Sequence, residues 1–193
     1  IDTEKPDLTS TTLLRLILDY ADSVEDAVDL IQQYDLHDST SCVFHYMVAD
    51  STGRSAVLEW VGEDADHDTD GSARHLNVLW NDTDTLSDSP DWQVVTNFIK
   101  TPGYYEGTTA EMRGLDRYEH LADRLRACSG VVADDEAAMD LLAEVGRRSW
   151  NNDDSNSCTI HSAVYDLTDR SVLWVGNEHY GEDGYTFRYS LAS

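Results

Sequence analysis

Twice along this chain a pair of helix-period segments gives way to strand-period segments. Thr9 to Ala21, "TSTTLLRLILDYA", places Leu13, Leu14, Ile17 and Leu18 at helical spacing. Ser23 then opens "SVED", close to a capping box with Asp in place of Glu, and Val24, Ala27, Val28 and Ile31 follow on one face. Val43 to Ala49 and Arg54 to Val61 are rich in β-branched and aromatic residues, and "DSTG" between them predicts a hairpin turn. Arg74 to Trp80 predicts another strand, and Gln93 to Thr96 a fourth. The order then recurs: helices over Leu115 to Cys128 and Asp134 to Val145, a hairpin in "CTIHSAVYDLTDRSVLWVG" with its turn at "LTDR", and a last strand from Tyr185 to Tyr189. The first of these helices has Leu115, Tyr118, Leu121 and Leu125 as its buried stripe. Helices and hairpins in separate runs predict an α+β chain with antiparallel sheet layers, not βαβ units.

Length and composition suit one domain over residues 1–193. Hydrophobic residues make up 40%, and 5 Trp and 10 Tyr give it material for a core. No apolar run approaches the roughly eighteen residues of a membrane span. The opening "IDTEKPDLTS" lacks the basic start and apolar stretch of a signal peptide. A formal charge of −25 repels phosphate backbones and anionic lipid, so neither nucleic acid nor membrane is expected as a partner. Such acidity fits solubility in a cytoplasm of acidic proteins; a calcium-rich or very salty setting is the alternative. Three scattered cysteines, Cys42, Cys128 and Cys158, make neither a disulfide scaffold nor a zinc site, and a reducing compartment fits.

Several chemical constellations are excluded or weak. "DHDTDG", Asp66 to Gly71, matches the opening of an EF-hand loop. Its ninth position is Arg74 and its twelfth is Asn77 where a bidentate Glu is needed, so a solvated loop is expected. Seven histidines contain no metal-binding spacing, and His45 and His161 inside strands read as satisfied structural residues. Nucleotide and serine-hydrolase motifs are absent. Each cysteine reads as a small hydrophobe rather than a nucleophile. The polar run Ser149 to Ser157 is the longest candidate for a mobile loop. Two polar residues stand out. Asn97 ends a strand expected to be buried, just before "FIKTPG". Arg117 lies on the first turn of a helix in "GLDRYEHL", where a cation opposes the macrodipole unless Asp116, Glu119 or Asp123 pairs with it.

Five segments in order, "TSTTLLRLILDYADSVEDAVDLI", "FHYMVADSTGRSAVLEW", "QVVTNF", "GLDRYEHL" and "HSAVYDLTDRSVLWVG", resemble the later part of the choloylglycine hydrolases, the linear amide C–N hydrolases that include bile salt hydrolases and penicillin V acylases. The resemblance implies an N-terminal nucleophile hydrolase, an αββα sandwich of antiparallel sheets between helix layers. It implies a cysteine nucleophile exposed at the mature N-terminus, with its own α-amine as proton shuttle, and no cofactor or metal. Asn97 matches the family asparagine, which would hold the nucleophile's end of the chain or polar groups of the substrate. Arg117 matches the family arginine that lies beside the sulfur and favours the thiolate.

The departures shape the expectation. Ile1 is neither Met nor a nucleophile, and the family's first catalytic segment has no counterpart here. The chain is therefore expected to be the C-terminal part of such a fold. The sandwich would then be incomplete, inactive alone toward bile salts or penicillin V, and prone to self-association through open sheet edges. The expected partner is a small-molecule amide. A non-catalytic binding or scaffold module of this fold, or an acyltransferase passing the acyl group to an amine, are the alternatives.

Overall fold

The computed structural model describes residues 4–36, 44–62, 74–87, 89–105, 107–150 and 157–191. The chain divides into two compact units, Ile1–Leu115 and Asp116–Ser193. Cys42, the Asp66–Gly71 loop and most of the Ser149–Ser157 run lie outside the described residues.

In the first unit a two-residue strand, β1 (Asp7–Leu8), precedes helices α1 (Ser10–Tyr20) and α2 (Val24–Ile31). The strand β2 (Asp35–Leu36) then returns parallel to β1. Next come β3 (His45–Ala49), β4 (Ser55–Gly62) and β5 (Arg74–Trp80), an antiparallel sheet in the order β3-β4-β5. The expected Ser23 cap is present: its hydroxyl accepts from the Asp26 amide at 3.1 Å and donates to the Asp26 carboxylate at 2.8 Å, a side-chain bond where a full capping box would use the Ser23 backbone amide. The hairpin turn also caps this helix, since the Val24 amide donates to Asp50 Oδ2 at 3.0 Å. Gly53 at φ +86 supplies the left-handed residue that the turn needs.

The core of this unit lies between helices and sheet. Leu13, Ile17, Val24, Ala27, Val28 and Ile31 pack on Ala56, Leu58 and Trp60 of β4. The apolar face read for α1 is narrower than expected. Leu14 and Leu18 are exposed, because a helix buries only the stripe that meets the sheet. Residues Ser55 to Val61 of β4 are all buried, so its second face is covered too.

The expected fourth strand is not one. Residues 93–96 join no strand ladder; the segment bonds to side chains of the sheet instead, the Gln93 side chain to Ser55 and the Thr96 carbonyl to His45.

In the second unit α3 (Leu115–Ala127) and α4 (Asp135–Glu144) precede β6 (His161–Asp166), β7 (Ser171–Gly176) and β8 (Thr186–Ser190), an antiparallel sheet in the order β6-β7-β8. Tyr118 is the buried member of the α3 stripe, while Leu115, Leu121 and Leu125 are half-buried. Asp134 caps α4 by accepting from the Ala137 amide at 2.8 Å. Met139 and Leu142 of α4 pack on Val164, Leu173 and Val175 of the sheet. The architecture is therefore mixed α+β with antiparallel sheets. Among the described residues no helix is long and apolar enough to cross a membrane.

Candidate functional site

The β4 sequence "SAVLEWVG" alternates Ala56, Leu58 and Trp60 toward the helices with Ser55, Val57, Glu59 and Val61 toward the other face. That second face carries a wholly buried carboxylate. Glu59 accepts at Oε1 from the Lys100 amide (2.7 Å) and at Oε2 from the Thr101 amide (2.8 Å) and hydroxyl (2.7 Å). His45, its cross-strand partner on β3, brings Nδ1 within 3.2 Å of Oε1. The other ring nitrogen, Nε2, bonds the Thr96 carbonyl at 2.7 Å. From β5, Asn77 donates to the Thr101 hydroxyl at 2.7 Å. His45 is thus a satisfied strand histidine, as its position predicts.

A second cluster grips the same segment by its side chains. The Gln93 amide donates to the Leu79 carbonyl and to Asp84, each at 2.9 Å, and its oxygen accepts from Ser55 at 2.7 Å. Lys100 forms an ion pair with Asp84, and Ser87 donates to the same carboxylate at 2.8 Å. Both charged side chains are almost completely buried. Burial pushes the Lys100 ammonium below the ordinary amine value, with Asp84 opposing. At Asp84, burial pulls upward, but Lys100, Gln93 and Ser87 outweigh it and hold the carboxyl below its usual range.

Asn97 sits in the middle of this doubly anchored segment. Thr96 on one side is bonded through its carbonyl to His45 and through its hydroxyl to the Gly114 carbonyl at 3.0 Å. Phe98 on the other side is 1% exposed. Asn97 itself is exposed. The segment therefore presents one amide side chain from a rigid backbone. A cleft of ≈ 220 Å³ opens further along the segment, from Ile99 onward, walled by Leu86, Ile99, Tyr104, Tyr105 and Met112, with the Ile99 amide donating to the Tyr105 hydroxyl at 3.0 Å.

Arg117 belongs to the other unit. It is half-buried on the first turn of α3, and its amide donates to Asp116 Oδ1 at 2.9 Å. Asp116 Oδ2 accepts from the Trp150 indole at 2.7 Å, and the Trp150 ring lies 4.9 Å from that of His120. Asp123, one of the candidate partners for Arg117, is bonded to Arg126 at 2.6 Å.

Cys128 corrects one expectation: it is exposed just beyond α3, not a core hydrophobe, and its thiol donates to the Leu125 carbonyl at 3.4 Å. Cys158 is half-buried before β6. His161 opens β6 at the surface and stacks on Trp174 at 5.9 Å. Among the described residues no three or more His, Cys, Asp or Glu come together as a metal site.

Sequence reading singled out Asn97 but not the residues that bracket its segment. Glu59 carried a signal, a carboxylate in an otherwise apolar strand. Lys100, Asp84 and Gln93 carried none, because only the fold brings them together.

Antiparallel sheets and paired helices define a class, the mixed α+β chains compatible with an N-terminal nucleophile fold. The particular family follows from a family-model match over residues 3–178: the chain belongs to the acyl-coenzyme A:6-aminopenicillanic acid acyl-transferase family, within the choloylglycine hydrolase-like N-terminal nucleophile superfamily. No curated protein matches the sequence.

Proposed function

We propose that this chain carries part of the active site of a cysteine N-terminal nucleophile enzyme that breaks a linear amide C–N bond. Asn97 and Arg117 are its site residues, and the nucleophile comes from outside residues 1–193. The observation that carries the reading is the exposed Asn97 on a backbone fixed at both ends, within the matched family span. A fixed amide offers a donor and an acceptor in constant positions, as substrate or nucleophile positioning requires. Cys128 lies just past the C-terminal end of α3, where its thiol donates to the Leu125 carbonyl, the opposite of the helix N-terminus that activates a thiol.

In the reaction, a thiolate attacks the amide carbon and the carbon–nitrogen bond breaks. The amine leaves with the proton that the cysteine's α-amine has shuttled, and an acyl thioester remains. Water then cleaves the thioester to acid and free thiol. Arg117 would favour the thiolate as a permanent cation. The apolar walls of the cleft that begins at Ile99, two residues after Asn97, suit the acyl side of a small amide. The incomplete αββα sandwich, a cytoplasmic setting and association through the sheet edges belong to the same reading.

Acyl transfer is the second reading, and the family description favours it: it names an acyl-coenzyme A donor and 6-aminopenicillanic acid as acceptor. With that donor the thiolate attacks the thioester carbon of the acyl-coenzyme A, coenzyme A leaves as its thiol, and an amine replaces water in taking the acyl group. A non-catalytic binding module of the same fold is the third.

The deciding experiment replaces Asn97 by Ala in the natural gene product that includes these residues, and assays penicillin V and conjugated bile salts with and without a competing amine. The reading expects kcat/KM to fall about 10- to 100-fold. An unchanged rate removes Asn97 from the site. Acylated amine as the main product selects transfer over hydrolysis. Turnover by residues 1–193 alone refutes an external nucleophile.

A further inference from the structure

We infer that Glu59 and His45 are positioning residues that set the place of Asn97, an inference that rests on the assignment of Asn97 to the site. The two occupy directly paired positions on β4 and β3. Between them they hold both ends of the short stretch that contains Asn97. His45 Nε2 takes the Thr96 carbonyl at 2.7 Å, immediately before Asn97. Glu59 takes the Lys100 amide at 2.7 Å and the Thr101 amide at 2.8 Å, just after it. The His45–Glu59 contact of 3.2 Å closes the bracket. Asn97 is the exposed residue within it, and Phe98, buried, pins the turn from below.

The chemistry of the bracket separates positioning from catalysis. Glu59 is wholly buried and accepts from three donors, the Lys100 amide and the Thr101 amide and hydroxyl, with His45 Nδ1 3.2 Å from Oε1. Its oxygens are turned to the backbone they hold rather than to a substrate. His45 faces an acceptor from each ring nitrogen, the Thr96 carbonyl and the Glu59 carboxylate. A neutral imidazole can donate to only one of them; the imidazolium donates to both and neutralises Glu59.

The bracket is also a poor choice for stability alone. A buried carboxylate and its polar partners on an otherwise apolar strand gain little or nothing over well-packed hydrophobic residues. What it supplies is geometry, since hydrogen bonds of fixed direction locate a backbone more narrowly than apolar contact does. The Lys100–Asp84 pair grips the same stretch through a flexible four-carbon stem, and so anchors it without setting the orientation of Asn97.

The test is a mutant cycle in the natural gene product, with kcat and KM measured separately for amide cleavage. The variants are Glu59→Gln, His45→Gln, Asn97→Ala and the double Glu59→Gln/Asn97→Ala. Amide exchange at Lys100 and Thr101 reports the bracket directly. Expected are faster exchange at both amides and a fall in kcat on the order of 10-fold or more in Glu59→Gln, with KM nearly unchanged. His45→Gln, at the half-buried rim, gives the same kinetic split if the Glu59 variant does not fold. In the Asn97→Ala background the Glu59 change should cost almost nothing further, because its effect travels through Asn97. A full additional loss in the double variant, or an unchanged kcat in a folded single variant, overturns the inference. A wild-type rate in Asn97→Ala instead overturns the assignment of Asn97 on which it rests.

Discussion

Lys100 and Asp84 show what one buried contact costs when half of it is removed. The pair sits with both side chains almost fully out of water, and Gln93 and Ser87 complete the Asp84 shell. Lys100→Met leaves a buried carboxylate whose main cation is gone. Such a loss costs about 3–5 kcal/mol. Replacing both partners, as in Lys100→Met/Asp84→Leu, should recover most of it, since no charge is then stranded. Urea unfolding of the two variants measures both effects. A single variant within about 1 kcal/mol of wild type would show that water reaches Asp84 readily.

At the scale of elements, the connections matter more than helix and strand interiors. Residues just after α4 return close under Glu178, whose buried carboxylate accepts twice from the Arg148 amide at 3.0 Å. A Cβ on Gly146 would lie 2.3 Å from Glu178 Oε1, so the carboxylate would have to leave its place. Gly146→Ala should therefore destabilise by about 1–3 kcal/mol, although Ala is normally the better residue near a helix. Ser23→Ala removes the α2 cap and should cost about 1 kcal/mol. Thermal unfolding of each variant is the measurement. A stabilised Gly146→Ala would mean that Glu178 moves aside freely.

For the whole molecule, charge dominates the response to solvent. With 38 acidic against 13 basic side chains, the folded chain repels itself at neutral pH. Added KCl should raise the unfolding temperature between low and molar salt, as screening shortens the reach of that repulsion. Lowering the pH works in two stages. Partial protonation of exposed carboxylates first relieves repulsion. Asp84 and Asp50 act in the opposite sense, because both are held below the ordinary 3.8, Asp50 chiefly by the Thr52 hydroxyl. A depressed carboxyl contributes stability that is present above its unfolded value and lost as pH falls through its folded one. Stability should thus rise on mild acidification and collapse below about pH 4. Melting curves against pH and salt check this; an unfolding temperature indifferent to salt at pH 7 would contradict it.

Sequence alone determined what depends on short range. Periodicity placed four helices and the two hairpins, "SVED" placed a cap, and "DSTG" and "LTDR" placed turns. Each signal is complete within about a dozen neighbouring residues, because side-chain period and turn chemistry are local. Ordered segments identified the superfamily and singled out Asn97. Only the tertiary structure decided that residues 93–96 are not a strand, that Leu14 and Leu18 face solvent, and that Glu59, His45, Gln93, Asp84 and Lys100 gather around one loop. Those residues lie up to 55 positions apart, from His45 to Lys100. Their hydrogen bonds exist only after the sheet has formed and closed over them, and no local pattern encodes partners that far away.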